Sequence, residues 1–468
     1  MVEGTEFSLP SEILAGIFQF LPASDIISCT MVCLKWREEI NRNKLWRSLC
    51  LQDKWVEEWD EPYEVKSVNV EGSRLSPPCP WYATYIRCAH LYDKWKSGSY
   101  VIQKMDESVI ERHGTSWITS VDVNWIHIAL GDVSGCVSIW KLKQEKPEFL
   151  QSFSCSFQNV AVNEIFLGDT PTSIAVMQVG LLQVFHKSDR GEYSLCLYKA
   201  MIEVPGLPPM PPISNVNEVF PWLLENWYLQ ECELKSVREL SSVIAFWGTL
   251  KSVTTLSLQP GAQLQTLNVP YTSYKVCGVA LRPDDSDIIY VAIKQDLVGN
   301  VILVYSLCKN TCLEQLNDTS TIVKIYANFN IFVSVNEQGT VTVWDCLKEG
   351  KHHVLQPFQI TSPNISLHLD RDSILYQTDN KVVSMECKAN QAIRQINTLE
   401  TEKSSNFLST AIGNVCIFQN GEDIEIQDKA WKYCIKGVLE KDMTYDVWCC
   451  DQYIIFKDFC RPPITIWF

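Results

Sequence analysis

Eight times between residues 128 and 468 the chain repeats one local pattern. An apolar run meets a polar or glycine-bearing turn, and a second run of alternating apolar residues follows, ending in an aromatic or large apolar side chain. Four copies are plain: IALGDVSGCVSIWKL (128–142), SIAVMQVGLLQVFHK (173–187), YVAIKQDLVGNVILVYSL (290–307) and IFVSVNEQGTVTVWDC (331–346). Three are weaker: VIAFWGTLKSVTTLSL (243–258), ILYQTDNKVVSMEC (374–387) and LSTAIGNVCIFQ (408–419). YIIFKDFCRPPITIWF (453–468) is the eighth. Alternation of period two over such short runs is the mark of β-strands. The closing side chains of successive copies are often 39 to 49 residues apart.

A hairpin recurring every ~40–45 residues is what the blades of a β-propeller produce, since each four-stranded blade has two apolar faces that only neighbouring blades cover. Residues 98–468 are therefore expected to form an all-β propeller of seven or eight blades. The interval from Phe185 to Leu256 is longer than one blade. It holds the proline-rich VPGLPPMPPISNVNEVFPW, which cannot be sheet interior, so an insertion near 204–221, with or without a blade, is expected there. Ring closure gives a further expectation. The final strand, Ile464 to Phe468, needs an outer neighbour, and SYVIQKM (99–105) could supply it by joining both ends of the region. Only Trp344-Asp345 reproduces the dipeptide of WD repeats, and their Gly-His element is missing. On these residues the region resembles a WD-repeat propeller in degenerate form.

The first hundred residues have another texture. In SLPSEILAGIFQFLPASDIISCTMVCLKWREEI (8–40), Ser8 can cap a helix whose first turn accepts Pro10. Ile13, Leu14, Ile17, Phe18 and Leu21 then recur at helical spacing and give one wide apolar face. Pro22 stops that helix. Ser24-Asp25 starts a second, along which Ile26, Cys29, Cys33, Trp36 and Ile40 step by three and four; a third carries Leu45, Trp46 and Leu49. So small a unit cannot bury all this surface, which leaves Leu9, Pro10, Ile13 and Phe18 as candidates to face a partner. Residues 51–97 read as an irregular acidic linker followed by a helix bearing Trp81, Tyr85, Cys88, Tyr92 and Trp95, with Gly98 as its stop.

The Leu-Pro start, Ile-Phe in the first helix, the Asp-Ile pair, Val-Cys-x2-Trp-Arg and the closing Leu-Trp-Arg fall in order over residues 7–50. In this the segment resembles an F-box. The resemblance implies docking onto the adaptor subunit of an SCF (cullin–RING) ubiquitin ligase. It maps Leu9, Pro10, Ile13, Ile17, Phe18, Leu21 and Pro22 onto the part that meets the adaptor. Val32, Cys33 and Trp36 map onto the part that packs the hairpin and completes the interface.

With 55 acidic against 40 basic residues the net charge is −15, the wrong sign for binding a phosphate backbone, so no nucleic-acid partner is expected. No run of 18 apolar residues occurs, so no membrane partner is expected either. The start, MVEGTEFSLP, lacks a basic and apolar leader pattern, and nineteen scattered cysteines do not suggest a disulfide framework. A cytoplasmic or nuclear location is the expectation. Cys29/Cys33 and Cys308/Cys312 lack second ligand pairs at zinc-finger spacing and read as small buried hydrophobes. His352-His353 reads as solvated loop. No nucleophile, phosphate-loop or metallohydrolase motif is present, so neither a cofactor nor a catalytic site is expected.

The resulting expectation is a non-catalytic receptor subunit, its F-box holding the adaptor (and through it cullin and RING subunits) while propeller loops display a target protein for ubiquitination. The alternative is an F-box/propeller interaction scaffold acting outside the ligase. Only seven arginines follow residue 98: Arg112, Arg190, Arg238, Arg282, Arg371, Arg394 and Arg461. They are scattered, whereas phosphate recognition favours converging arginine forks. An unmodified or basic target met by aromatic and acidic loop residues is therefore expected.

Overall fold

A computed structural model of the 468-residue chain describes residues 9–53, 55, 79–105, 107–113, 117–124, 126–144, 146–168, 172–188 and 190–200. From there it describes 235–238, 243–247, 253–258, 263–271, 274–282, 287–295, 299–318, 321–327, 331–346, 352–355, 357–360, 367–370, 373–378, 381–387, 393–400, 406–411, 415–428, 431–439, 446–449, 453–458 and 461–468. Ser8 and the proline-rich segment near 204–221 lie outside the described residues.

Five helices come first. They are α1 (Ser11–Phe18), α2 (Ala23–Cys29), α3 (Leu34–Ile40), α4 (Asn43–Gln52) and α5 (Pro80–Ser97). The 3-4-3-4 stepping of Ile26 to Ile40 is not one continuous helix. After Cys29 the chain tightens through hydrogen bonds from Met31 N–H to the Ser28 carbonyl and from Val32 N–H to the Cys29 carbonyl. The Thr30 hydroxyl donates to the Ile27 carbonyl at 2.6 Å, and Cys33 is fully extended before α3 begins. Such side-chain competition for helix carbonyls is why Thr serves poorly in a helix interior.

Eight antiparallel sheets follow, spanning 118–154, 164–200, 235–266, 275–318, 322–359, 367–400, 406–435 and 446–467; all are four-stranded except the fifth, where Phe358–Gln359 adds a fifth strand. We number them blades one to eight. Each runs in chain order from inner to outer strand, except that blade eight takes its outer strand from Val101–Lys104. That strand pairs with Arg461–Trp467 in the register Val101 to Trp467 and Lys104 to Ile464. The Trp467 indole N–H donates to Gln103 Oε1 at 3.2 Å, a side-chain clasp on the same joint. The ring is thus closed by the strand that the sequence placed there, and the blade count is eight. The long interval after Phe185 contains a complete blade.

The hairpin at 408–419 forms as expected but differs from the other seven copies in its place within the blade. Residues 408–419 are the first two strands of blade seven, and its middle hairpin is Val415–Asn420 with Asp423–Gln427. Both stretches alternate, and both carry a glycine turn, so the pattern alone does not separate them.

Apolar side chains fill the spaces between blades. Between blades four and five, Ala280, Tyr290, Ile302 and Val304 meet Phe332 and Trp344, with Tyr290 stacked on Phe332 at 4.3 Å. His352 belongs to this joint and is not in a solvated loop. It sits in the strand His352–Val354, with its side chain 5% exposed. Its Nδ1 meets Glu314 Oε2 at 2.5 Å and its Nε2 lies 3.1 Å from the Tyr290 hydroxyl, which ties one blade to the next.

Helix α5 fixes the helical domain to the ring. Cys79 caps it, its sulfur accepting from Tyr82 N–H, and Pro80 opens it. Gly98 ends it at φ 65°, a left-handed conformation that glycine adopts without a Cβ penalty. Along one face, Trp81 and Tyr85 join Leu14, Phe18, Ile26, Ile40, Trp46 and Cys50 in the helical core. Two turns further, Cys88, Leu91 and Trp95 join Ile417, Ile424, Ile454 and Phe468 of blades seven and eight. Trp55 touches both cores, and the Tyr92 hydroxyl donates to Asp428 Oδ2 at 2.6 Å. No helix among the described residues is long and apolar enough to cross a membrane.

Candidate functional site

Helix α1 carries apolar residues on two sides. Leu14 and Phe18 point inward and are 2% and 1% exposed, while Ile13 and Ile17 on the adjacent side are 53% and 45% exposed. Phe18 belongs to the helical core, where its ring meets Trp36 edge-on at 5.5 Å. This corrects its placement on a partner-facing surface: the doublets Ile13-Leu14 and Ile17-Phe18 form one stripe in sequence but divide between solvent and core.

The other expected residues fall around this outward side. Leu9 and Pro10 precede the helix and are exposed, Pro10 taking the cap position with its carbonyl accepting from Ile13 and Leu14 N–H. Leu21 is half-buried against the helical core, and Pro22 is exposed at the start of α2. Val32 and Cys33 are exposed in the turn before α3, and Trp36 is half-buried. The Lys35 ammonium donates to the Leu9 carbonyl at 2.8 Å, which brings this turn beside the start of α1. Below it, Ser11 donates to the nearly buried Glu39 carboxylate at 2.7 Å, and Arg42 pairs with the same carboxylate at 3.0 Å.

Three residues missed in the sequence complete the surface. Phe20, Met31 and Leu34 are 89%, 85% and 57% exposed. Phe20 lies three residues after Ile17, and Met31 lies two residues past the end of α2, after Thr30; both are legible as apolar residues at helix ends, where nothing in their own helix could cover them. Together these side chains form an exposed apolar surface on a small domain, which is the form a docking site takes. Burial pushes the Cys50 thiol up to about 12 and raises that of Cys79, so both remain thiols at neutral pH. Among the described residues no group of three or more His, Cys, Asp or Glu could hold a metal ion.

Residues 7–52 match the F-box-like family model. The chain is 36% identical to F-box only protein 44 of Homo sapiens over 64 residues, 13% of this chain and 25% of that protein. It is 39% identical to F-box only protein 6 of Bos taurus over 78 residues, 15% of this chain and 29% of that one. The chain thus spans less than a third of the length of these relatives. Among solved structures, Sqt1 of Saccharomyces cerevisiae has a TM-score of 0.49 at 10% identity, covering 78% of this chain and 97% of that one. The C-terminal WD40 domain of Sif2 has a TM-score of 0.49 at 14% identity, covering 76% and 96%. Blade count and ring closure rest on the strand pairing of this chain itself. The chain carries an F-box-like domain over residues 7–52, followed by an eight-bladed β-propeller.

Proposed function

We propose that this chain is the substrate-recognition subunit of an SCF-type ubiquitin ligase. In this reading the outward side of α1 and the turn before α3 bind the adaptor subunit, and through it cullin and RING subunits. The propeller holds the target protein, and transfer of ubiquitin is performed by the partners rather than by this chain, in the cytosol or nucleus. The observation that carries the reading is the division of α1: Leu14 and Phe18 satisfy the domain's own core, yet Leu9, Ile13 and Ile17 remain exposed. Hydrophobic surface left open in this way gains free energy only when a partner covers it. Helix α5 supports the same reading, because one helix buried in both cores holds the two binding surfaces at a fixed separation.

The test is capture of purified adaptor and cullin by the full chain and by an Ile13→Asp/Ile17→Asp variant. The wild-type chain is expected to retain both subunits and the variant to lose both while keeping its thermal stability. Equal retention by the variant overturns the proposal.

A further inference from the structure

The face of the propeller that is turned away from the F-box-like domain carries a second exposed surface, on blades one and two, where Trp117 and Val133 are open beside the uncharged Gln158, Asn159 and Asn163. Its position follows from the strand register. Helix α5 and Phe468 lie at the end of blade eight where Val101 pairs with Trp467, whereas Lys104 reaches the opposite rim beside Ile464. The inner strand of blade eight starts at that opposite rim, with Asp446 paired to Lys457. All blades share this strand order, so Trp117, just ahead of the inner strand Ile118–Val123, lies on the rim far from α5.

Trp117 is 82% exposed and Val133 46%. Both are on one rim because Ile118 pairs with Asp132 and the Val133 N–H donates to the Trp117 carbonyl at 2.9 Å. Hydrogen bonds continue the surface into blade two. Asn159 N–H donates to the Ser134 carbonyl at 2.7 Å, and Val162 N–H to the Asp132 carbonyl at 3.0 Å. Asn163 Oδ1 accepts from Val179 N–H at 2.7 Å. Beneath, the fully buried Gln178 amide donates to the carbonyls of Phe157 and Val160, so the loop is held before any ligand arrives. Val179 sits at φ 45°, a conformation that β-branched residues rarely adopt. Strain of this kind persists only where surrounding contacts impose it.

The charge of this surface selects its ligand. Trp117, the turn 133–135, the loop 155–163 and the turn 178–180 contain no Asp, Glu, Lys, Arg or His, whereas about three of these sixteen would carry charge at the chain's 20% average. The adjoining Asp132 is fully buried, its carboxylate accepting from the Ser134 N–H and hydroxyl and from the Cys136 N–H. A phosphate group brought here would lose hydration without gaining a counter-charge from these residues, and the adjoining half-buried Glu164 would repel it further. An apolar side chain would gain the indole of Trp117, the residue type most enriched where binding energy concentrates, on a pre-organised base.

We infer that this rim of blades one and two binds an uncharged, apolar peptide segment of the target protein, with Trp117 and Val133 as its seat. The inference rests on the receptor reading above and, of the sequence-based alternatives of an unmodified or a basic target met by aromatic and acidic loop residues, takes an unmodified target met by an aromatic residue.

The experiment uses the purified full chain and arrays of twelve-residue synthetic peptides in four classes: uncharged apolar, basic, acidic and phosphoserine-bearing. The chain is expected to retain the uncharged apolar class, with little change between about 0.05 and about 0.5 M salt, where ionic contacts are screened away. Trp117→Ala is expected to weaken that binding at least about tenfold. Leu313→Ala, exposed on the outer strand of blade four, is expected to leave it unchanged. Preference for a charged class, no retained class, or equal binding by Trp117→Ala overturns the inference. So does a dimer that dissociates on Trp117→Ala, since a second copy would then occupy the surface. Adaptor capture is measured on the same preparations: a chain that binds peptides but not adaptor overturns the receptor reading and leaves this site standing.

Discussion

Trp95 and Phe468 lie face to face, their ring centroids 3.8 Å apart and their planes 11° from parallel. One belongs to the last turn of α5, the other follows the strand that closes the ring, and both are buried. This stack is the point at which the helical domain is seated on the propeller. Trp95→Ala is expected to lower stability by about 3–5 kcal/mol, the usual cost of truncating a buried aromatic. In a double-mutant cycle with Phe468→Ala, a coupling of about 0.5–1.5 kcal/mol is expected, read from denaturant midpoints of the four proteins. Additive effects would show that the stack does not join the two parts.

Neighbouring residues of α1 separate folding from binding. Phe18 and Ile17 differ by one position but are 1% and 45% exposed. Phe18→Ala is expected to destabilise the helical domain by about 3–5 kcal/mol. Ile17→Ala is expected to change stability by less than about 0.5 kcal/mol, as surface substitutions do, while weakening adaptor capture. Thermal melts and adaptor pull-downs on both variants check this, and equal melting points would refute the two-sided reading of the helix.

The closing strand makes fragment boundaries testable. A fragment from residue 79 keeps α5, one from residue 98 keeps the strand Val101–Lys104 and the short helix Glu107–Arg112 with its buried Ile110, and one from residue 115 has none of these. Stability is expected to fall in that order. The last step should be the largest, because it leaves Arg461–Trp467 as an exposed edge with half its ladder unpaired. Indistinguishable melting temperatures for the fragments from 98 and 115 would sink this account of closure.

What was legible in the sequence was whatever depends on local pattern. Alternation marked the hairpins, and the need of the last strand for a partner marked Val101–Lys104. Helical steps marked Trp81, Tyr85, Cys88 and Trp95 along α5. The misreadings share one cause: periodicity shows that a face is apolar and not what covers it. Phe18 was grouped with Ile17 because both fit one stripe, and the break at Thr30 went unseen because the three-four spacing runs on through the turn. His352 was read as loop because its partners, Glu314 and Tyr290, are 38 and 62 residues away. Trp117, Val133, Asn159 and Val179 likewise meet only because blades one and two are packed side by side.

One half-buried imidazole gives the propeller a response to acid. His127 opens the second strand of blade one, and its Nδ1 is buried with no hydrogen-bond partner among the described residues. Burial, with Lys141 and Lys187 adding repulsion, holds its pKa below the ordinary 6.5. The unfolded chain therefore takes up this proton first as the solution is acidified. By linkage, stability falls as pH drops below about 6.5 and levels only once the folded form is protonated too. His127→Gln removes that component and is expected to flatten the decline in melting temperature between about pH 6.5 and about pH 5, with other titrating groups cancelling in the comparison. Parallel declines for the two proteins would show that His127 is not held neutral by the fold.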